Sequence, residues 1–250
     1  MVEEERIEEV LLRKKSEFLS QCEVCGGLGF VGGSACECLR EFRVWNRLLR
    51  RGFPEEYLDL SLDVVLKNVS MSDEDRRLLD WYVSNFAYVR ERGLSLYIWG
   101  SVGVGKTGLA VVIAKEYARW CLSDERYIWD FSAFYSDLSA FFEAREDSEE
   151  GSWNADLYVL DEFGRDILGQ DVKDWLVRRL ERFVRFRIAQ RKVTILVSNL
   201  EPSRIAGSYG EGMASVIGVV GNNVDGIAYR SIHLLGSDLR RNVRFSRWLR

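Results

Sequence analysis

The stretch Ser95-Leu-Tyr-Ile-Trp-Gly100-Ser-Val-Gly103-Val-Gly105-Lys106-Thr107-Gly108-Leu-Ala-Val-Val-Ile113 decides the fold. A short apolar run ends in Gly100-x-x-x-x-Gly105-Lys106-Thr107, and a helix-forming segment continues to about residue 121. Glycines at these places let backbone N–H groups converge on phosphate oxygens without Cβ obstruction. The N-terminus of the following helix adds the positive end of its dipole. The spacing therefore predicts a phosphate cradle shaped by Gly100, Gly103, Gly105 and Gly108. In it Lys106 reaches the β- and γ-phosphates of ATP, and the Thr107 hydroxyl ligates Mg²⁺.

Further along, Leu157-Tyr-Val-Leu-Asp161-Glu162 is an apolar strand ending in two carboxylates. Asp161 is placed to hold the Mg²⁺ shell, and Glu162 to polarise an attacking water as general base. Val193-Thr-Ile-Leu-Val-Ser198-Asn199 is a second buried strand with a polar end, and Asn199 is positioned to orient water near a γ-phosphate. Two more β-prone runs, 127–131 and 231–235, complete five predicted strands. Helical segments at about 106–121, 132–145 and 172–190 lie between them. Strand and helix alternate, which predicts an α/β fold with a five-stranded parallel sheet flanked by helices on both faces. His233, inside the last strand, and Cys121, at the end of the loop helix, are expected to be structural.

Upstream, residues 3–20 place Ile7, Val10, Leu11, Phe18 and Leu19 near one helical stripe. Four of the five cysteines follow: Cys22, Cys25, Cys36 and Cys38, separated by glycines. They provide soft ligands for one closed tetrahedral Zn²⁺ site in a loop otherwise too Gly-rich to fold. A helix is expected over about 73–91, capped by Ser72 or Asp73 and closed before Gly93. The resulting organisation is an N-terminal helix and zinc module at 1–50, a linker and helix at 51–92, and the ATPase core at 93–250. Hydrophobic residues make up 47% of the chain, enough for a packed core, and a net charge of −4 excludes a uniformly basic nucleic-acid coat. The acidic start lacks the basic and apolar parts of a secretion signal, and no run approaches a membrane span, so a cytoplasmic location is expected.

The loop, the Asp-Glu strand and the Asn-ending strand together resemble an AAA+ P-loop NTPase core. The paired cysteines, Gly52-Phe-Pro-Glu-Glu-Tyr57, the Arg-rich helix ending in Arg187 and Gly236-Ser-Asp-Leu-Arg240 are similar to the DnaC/DnaI helicase loaders and the related IstB transposition helpers. The resemblance implies ATP-dependent loading of a replicative ring helicase onto single-stranded DNA, self-association through the ATP sites, and a γ-phosphate sensor at Arg240. It also implies a short tail in place of a full lid domain. The alternatives are an IstB-like transposition helper and an ATP-gated DNA-binding adaptor with little hydrolysis; a small-molecule P-loop kinase fits least, because no acceptor site is visible.

One departure stands out. Where the family places an arginine finger, this chain reads Gly212-Met-Ala-Ser215-Val216-Ile217, and no arginine lies between Arg204 and Arg230. Turnover is therefore expected to be slow or partner-dependent. Six glycines between 207 and 226 also speak against a regular helix there. Two basic groups are candidates for phosphate contact: Lys173, Arg178, Arg179, Arg182, Arg185, Arg187, Arg191 and Lys192, and the tail arginines 240, 241, 244, 247 and 250 with Phe245 and Trp248 interleaved.

Overall fold

In the computed structural model, which describes residues 2–123, 131–144, 152–164, 174–217 and 228–239, the chain begins with helix α1 (Val2–Ser20). A small antiparallel hairpin follows, β1 (Phe30–Val31) and β2 (Ser34–Ala35), then α2 (Glu37–Leu49). The sequence suggested a loop without regular structure here. Gly32 and Gly33, both at positive φ, instead make a two-residue turn whose twist matches paired strands. Helix α2 buries Leu39, Phe42, Val44, Trp45 and Leu48 along one stripe.

The connecting segment contains α3 (Glu55–Leu58) and α4 (Leu62–Asn68), the latter capped by Ser61. Ser72 caps the next helix as expected, accepting from the Asp75 backbone N–H at 3.0 Å. The single helix read over 73–91 is two, α5 (Asp73–Ser84) and α6 (Phe86–Arg92). They divide at Asn85, whose backbone leaves the helical region and whose side-chain amide donates to the Trp81 carbonyl at 2.7 Å. That local bond replaces a ladder bond, the usual competition between Asn and helix.

The core sheet consists of β3 (Ser95–Gly100), β4 (Ala133–Asp137), β5 (Leu157–Phe163), β6 (Val193–Ser198) and β7 (Tyr229–Leu234). Every pairing is parallel and the spatial order is β4-β5-β6-β3-β7. Central strands β3 and β6 are buried on both sides, which explains their unbroken apolar runs. One face, with Leu96, Ile98, Val159, Ile195, Val197 and Ile232, packs on α7 (Lys106–Ser123) and the N-terminal helices. The other face, with Tyr97, Tyr158, Leu160, Leu196 and Tyr229, packs on α8 (Leu138–Glu143), α9 (Asp174–Ala189) and α10 (Ile205–Ile217).

Two further expectations shift. The second core strand is Ala133–Asp137, inside what the sequence presented as a helix over 132–145, and helix α8 begins only at Leu138. Asp137 is both the last strand residue and the helix cap, accepting from the Ala140 N–H at 2.8 Å, so no loop separates the two elements. The run read as a strand at 127–131 falls, apart from Phe131, outside the described residues. Helix α10 forms despite its glycines and absorbs them in one break at Gly210. Cys121 is fully buried, and His233 stacks on Trp99 at 3.7 Å between ring centroids, both structural places.

Candidate functional site

A cleft of about 200 Å³ opens at the carboxyl ends of β3, β5 and β6, where open parallel sheets take their ligands. The loop residues Gly103, Gly105, Lys106, Thr107 and Gly108 line it together with Asp161, Glu162 and Asn199. Three segments far apart in sequence thus meet at one place. The turn from β3 into α7 supplies the loop, the end of β5 the carboxylates, and the end of β6 the asparagine.

Lys106 is bent over the loop, donating to the carbonyls of Gly100 at 3.0 Å and Ser101 at 2.7 Å. Thr107 Oγ1 donates to Asp161 Oδ2 at 2.7 Å, so the two proposed Mg²⁺ residues already face each other. Asp161 Oδ1 accepts from the Glu162 backbone N–H at 2.7 Å. Between Leu160 and Phe163 the pairing of β5 with β6 loses register, and Glu162 has a φ of 57°. A bulge of this kind re-aims side chains beside active sites, and here it presents both carboxylates to the cleft.

Tyr135, Tyr209 and Ser198 hold this arrangement. Tyr135 donates its hydroxyl to Asp161 Oδ2 at 2.9 Å. Burial, reinforced by the Asp161 charge, raises the Tyr135 hydroxyl far above its ordinary value, so it remains a proton donor. Tyr209 accepts from the Gly164 N–H at 2.8 Å, and Ser198 Oγ bonds the Phe163 carbonyl, so the bulge is tied down from both sides. Ala-Phe-Tyr-Ser-Asp does not alternate apolar and polar residues, so no local pattern in the sequence marks Tyr135.

The Gly236-Ser-Asp segment lies against the phosphate loop: the Leu239 N–H donates to the Gly103 carbonyl at 2.9 Å. A Cβ on Gly103 would stand 2.0 Å from Asp238 Oδ1. Glycine at 103 is therefore required by close approach as well as by its positive φ. Arg240 lies outside the described residues, as do the tail arginines and Lys173. Val216 is in α10 and packs against the core.

The basic stripe of α9 is divided between the interior and the surface, where Arg178, Arg182 and Arg185 are exposed. Arg187 is fully buried, Arg179 donates to the carbonyls of Phe142 and Ala144, Arg182 lies over the Trp153 ring, and Arg185 pairs with Glu181. These side chains hold the helix to its own fold.

The four cysteines come together. Their sulfur atoms all lie within 4.8 Å of one another, with Cys22–Cys36 at 3.7 Å and Cys25–Cys38 at 3.5 Å. Zn–S bonds of about 2.3 Å in a tetrahedron require sulfur separations of about 3.8 Å, so the set fits Zn²⁺. The Gly29 N–H points at Cys25 Sγ from 3.2 Å. Burial raises the Cys25 thiol, but that N–H and the neighbouring thiols outweigh it and bring the group down to about 6. Burial and the same neighbours push Cys38 up to about 12.

Behind the loop, buried Lys115 on α7 donates to the carbonyls of Leu58, at 2.7 Å, and Leu60, fastening the connecting segment beside the cleft. Burial, with Arg119 nearby, lowers its ammonium from 10.5 to about 8. Between about 8 and 10.5 the unfolded chain then binds more protons than the folded one, so this group makes stability rise with pH across that window. Below about 8 both states are protonated and the burial cost is constant. Melting temperatures at pH 7.5 and 9.5 are expected to show that component in the wild type and not in Lys115→Met. An identical pH dependence in the two proteins would refute the assignment.

Fold and cleft together define an AAA+ P-loop core: a five-stranded parallel sheet flanked by helices, preceded by a region with a cysteine cluster. No family model and no curated protein matches the chain. Among solved structures, the DnaC helicase loader is similar at 21% identity over 73% of this chain and all 100% of that one, with a TM-score of 0.54. DnaI is similar at 20% identity over 75% and 94% respectively, with a TM-score of 0.53. At this identity the likeness concerns the fold, and at that level the DnaC/DnaI-like AAA+ resemblance read from the motifs holds. Among the described residues no helix is long and apolar enough to cross a membrane.

Proposed function

We propose that the chain is an ATP-dependent loader of a replicative ring helicase onto single-stranded DNA. The observation that carries the ATPase part is the single cleft shared by Lys106, Thr107, Asp161, Glu162 and Asn199. The fold shared with two proteins of the DnaC and DnaI names supports the loading part.

In this reading the glycine loop and the α7 N-terminus hold the ATP phosphates, and Lys106 moves from its two carbonyl partners to the β- and γ-oxygens. Thr107 and Asp161 offer the hard oxygen donors that would hold Mg²⁺, which would supply positive charge to the nucleotide phosphates. Glu162, aimed by the bulge, withdraws the proton of the attacking water, and Asn199 orients that water. Arg240 acts as a sensor from the tail. The cysteine cluster holds Zn²⁺ and, with α1, forms a helicase-docking module over 1–50; the 51–92 segment joins it to the core at 93–250, and copies of the core associate through their ATP sites in the cytoplasm.

Glu162→Gln is expected to lower ATP turnover by about a hundredfold while nucleotide still binds. Equal turnover in wild type and variant, with and without single-stranded DNA, would refute hydrolysis. That outcome would favour the second reading, an ATP-gated adaptor, which rests on the apolar Val216 in α10 where a finger is expected. The loading part is tested by sedimenting the full chain with a replicative ring helicase and single-stranded DNA. A nucleotide-dependent complex is expected, and its absence with every nucleotide would reject loading.

A further inference from the structure

We propose that Tyr135 is a positioning residue of the nucleotide site, which fixes the Asp161 carboxylate and ties it to the Arg51–Phe53 turn arriving from the N-terminal helices. The inference rests on the Mg²⁺-nucleotide reading of the cleft and adds a residue and a route to it.

The geometry is specific. Asp161 Oδ2 accepts two hydroxyl hydrogens, from Thr107 at 2.7 Å and Tyr135 at 2.9 Å, while Oδ1 accepts a backbone N–H. Three donors fix the plane of the carboxylate. Thr107 can keep its hydrogen on Asp161 while an oxygen lone pair faces Mg²⁺, so Tyr135 is the one side-chain donor on that carboxylate with no task toward the ion. Its task is orientation.

Tyr135 is itself held by the connecting segment. Its backbone N–H donates to the Arg51 carbonyl at 3.0 Å, and its ring packs on buried Phe53 at 5.6 Å. A Cβ on Gly52 would stand 2.8 Å from the Tyr135 carbonyl oxygen, so the turn approaches β4 too closely for any side chain there. On its other side the turn continues α2, the Phe53 N–H donating to the Leu48 carbonyl at 3.3 Å. Beyond it, Asp59 takes the Trp45 indole N–H of α2 and Lys14 of α1. A partner that shifts α1 and α2 therefore moves the turn, and the turn bears on the residue that orients the magnesium carboxylate.

The test is equilibrium binding of a fluorescent ribose-labelled ATP analogue by the full chain, titrated with Mg²⁺ and repeated in EDTA. Tyr135→Phe keeps the ring and removes the hydroxyl. It is expected to raise the Mg²⁺ concentration needed for half-maximal tightening about tenfold, while affinity in EDTA stays within about twofold. Gly52→Ala is expected to act in the same direction through the turn, and to add little when combined with Tyr135→Phe. An unchanged or lowered Mg²⁺ requirement in a folded Tyr135→Phe protein that still binds the analogue overturns the inference and leaves the nucleotide site standing. Additive effects of the two substitutions overturn the link to the turn. If the wild type does not bind the analogue at all and matches Lys106→Ala, both the inference and the reading it rests on fall.

Discussion

Removal of zinc is expected to unfold the segment from Cys22 to the start of α2 while the core of the protein stays folded. Residues 22–36 bury little apolar area of their own: Val24, Leu28, Phe30 and Val31 are all exposed. The hairpin has only two residues in each strand. What closes this loop is the convergence of four sulfurs within 4.8 Å. Structural zinc supplies about 10 kcal/mol or more to such units, far above what a two-residue ladder provides. Helix α2 is a different case. Its stripe of Leu39, Phe42, Trp45 and Leu48 belongs to the main core, so the helix is expected to survive while the turns before it do not. Metal analysis should find one zinc per chain, and a strong chelator should abolish hydrogen-exchange protection in residues 22–36 while leaving β3 and β6 protected. Replacement of the metal by cobalt should give thiolate charge-transfer absorption, lost in Cys25→Ser. Equal protection of 22–36 in metal-free and metal-loaded protein would defeat the zinc assignment.

The parts of this molecule that were legible in the sequence are those in which local pattern and tertiary role coincide. β3, β5 and β6 are buried on both faces, so their apolar runs are continuous, and each ends in the residues that line the cleft. The cysteines were legible because sulfur ligands need only be close, and a Gly-rich hinge can bring them together. β4 was not legible, because Ala-Phe-Tyr-Ser-Asp is short and its last residue is also a helix cap. With it went Tyr135, whose importance depends on the parallel pairing that sets Asp137 beside Asp161 and brings its hydroxyl to the carboxylate. The bulge at Glu162 was equally hidden, since it results from tertiary bonds by Ser198 and Tyr209 and from no local residue preference. The basic stripe of α9 was legible only in part: Arg178, Arg182 and Arg185 do face outward, but Arg187 turns inward to main-chain carbonyls that no local pattern announces.

Replacement of Arg187 is the second change expected to have a large effect. The guanidinium is fully buried between α9 and the amino-terminal ends of β5 and β6. Its Nε donates to Thr194 Oγ1 at 3.0 Å and one terminal nitrogen to the Trp153 carbonyl at 2.8 Å. Further bonds reach the carbonyls of Ala155 and Val193, and the plane lies over the Tyr158 ring. Burial lowers the group only to about 10, so it is charged at neutral pH. Arg187→Ala removes the donor to three main-chain carbonyls at once and leaves a cavity beside Phe183 and Tyr158, for an expected loss of about 3–5 kcal/mol. Lysine should not rescue it, because a single ammonium cannot span acceptors that a planar fork reaches from both edges. Arg185→Ala, which breaks only an exposed pair with Glu181, should cost under about 1 kcal/mol. Urea unfolding of the three variants at pH 7 checks the order. The surface reading of the stripe makes the reverse demand, that Arg187→Ala weaken DNA binding at unchanged stability, and a loss below about 1 kcal/mol would return Arg187 to the surface role.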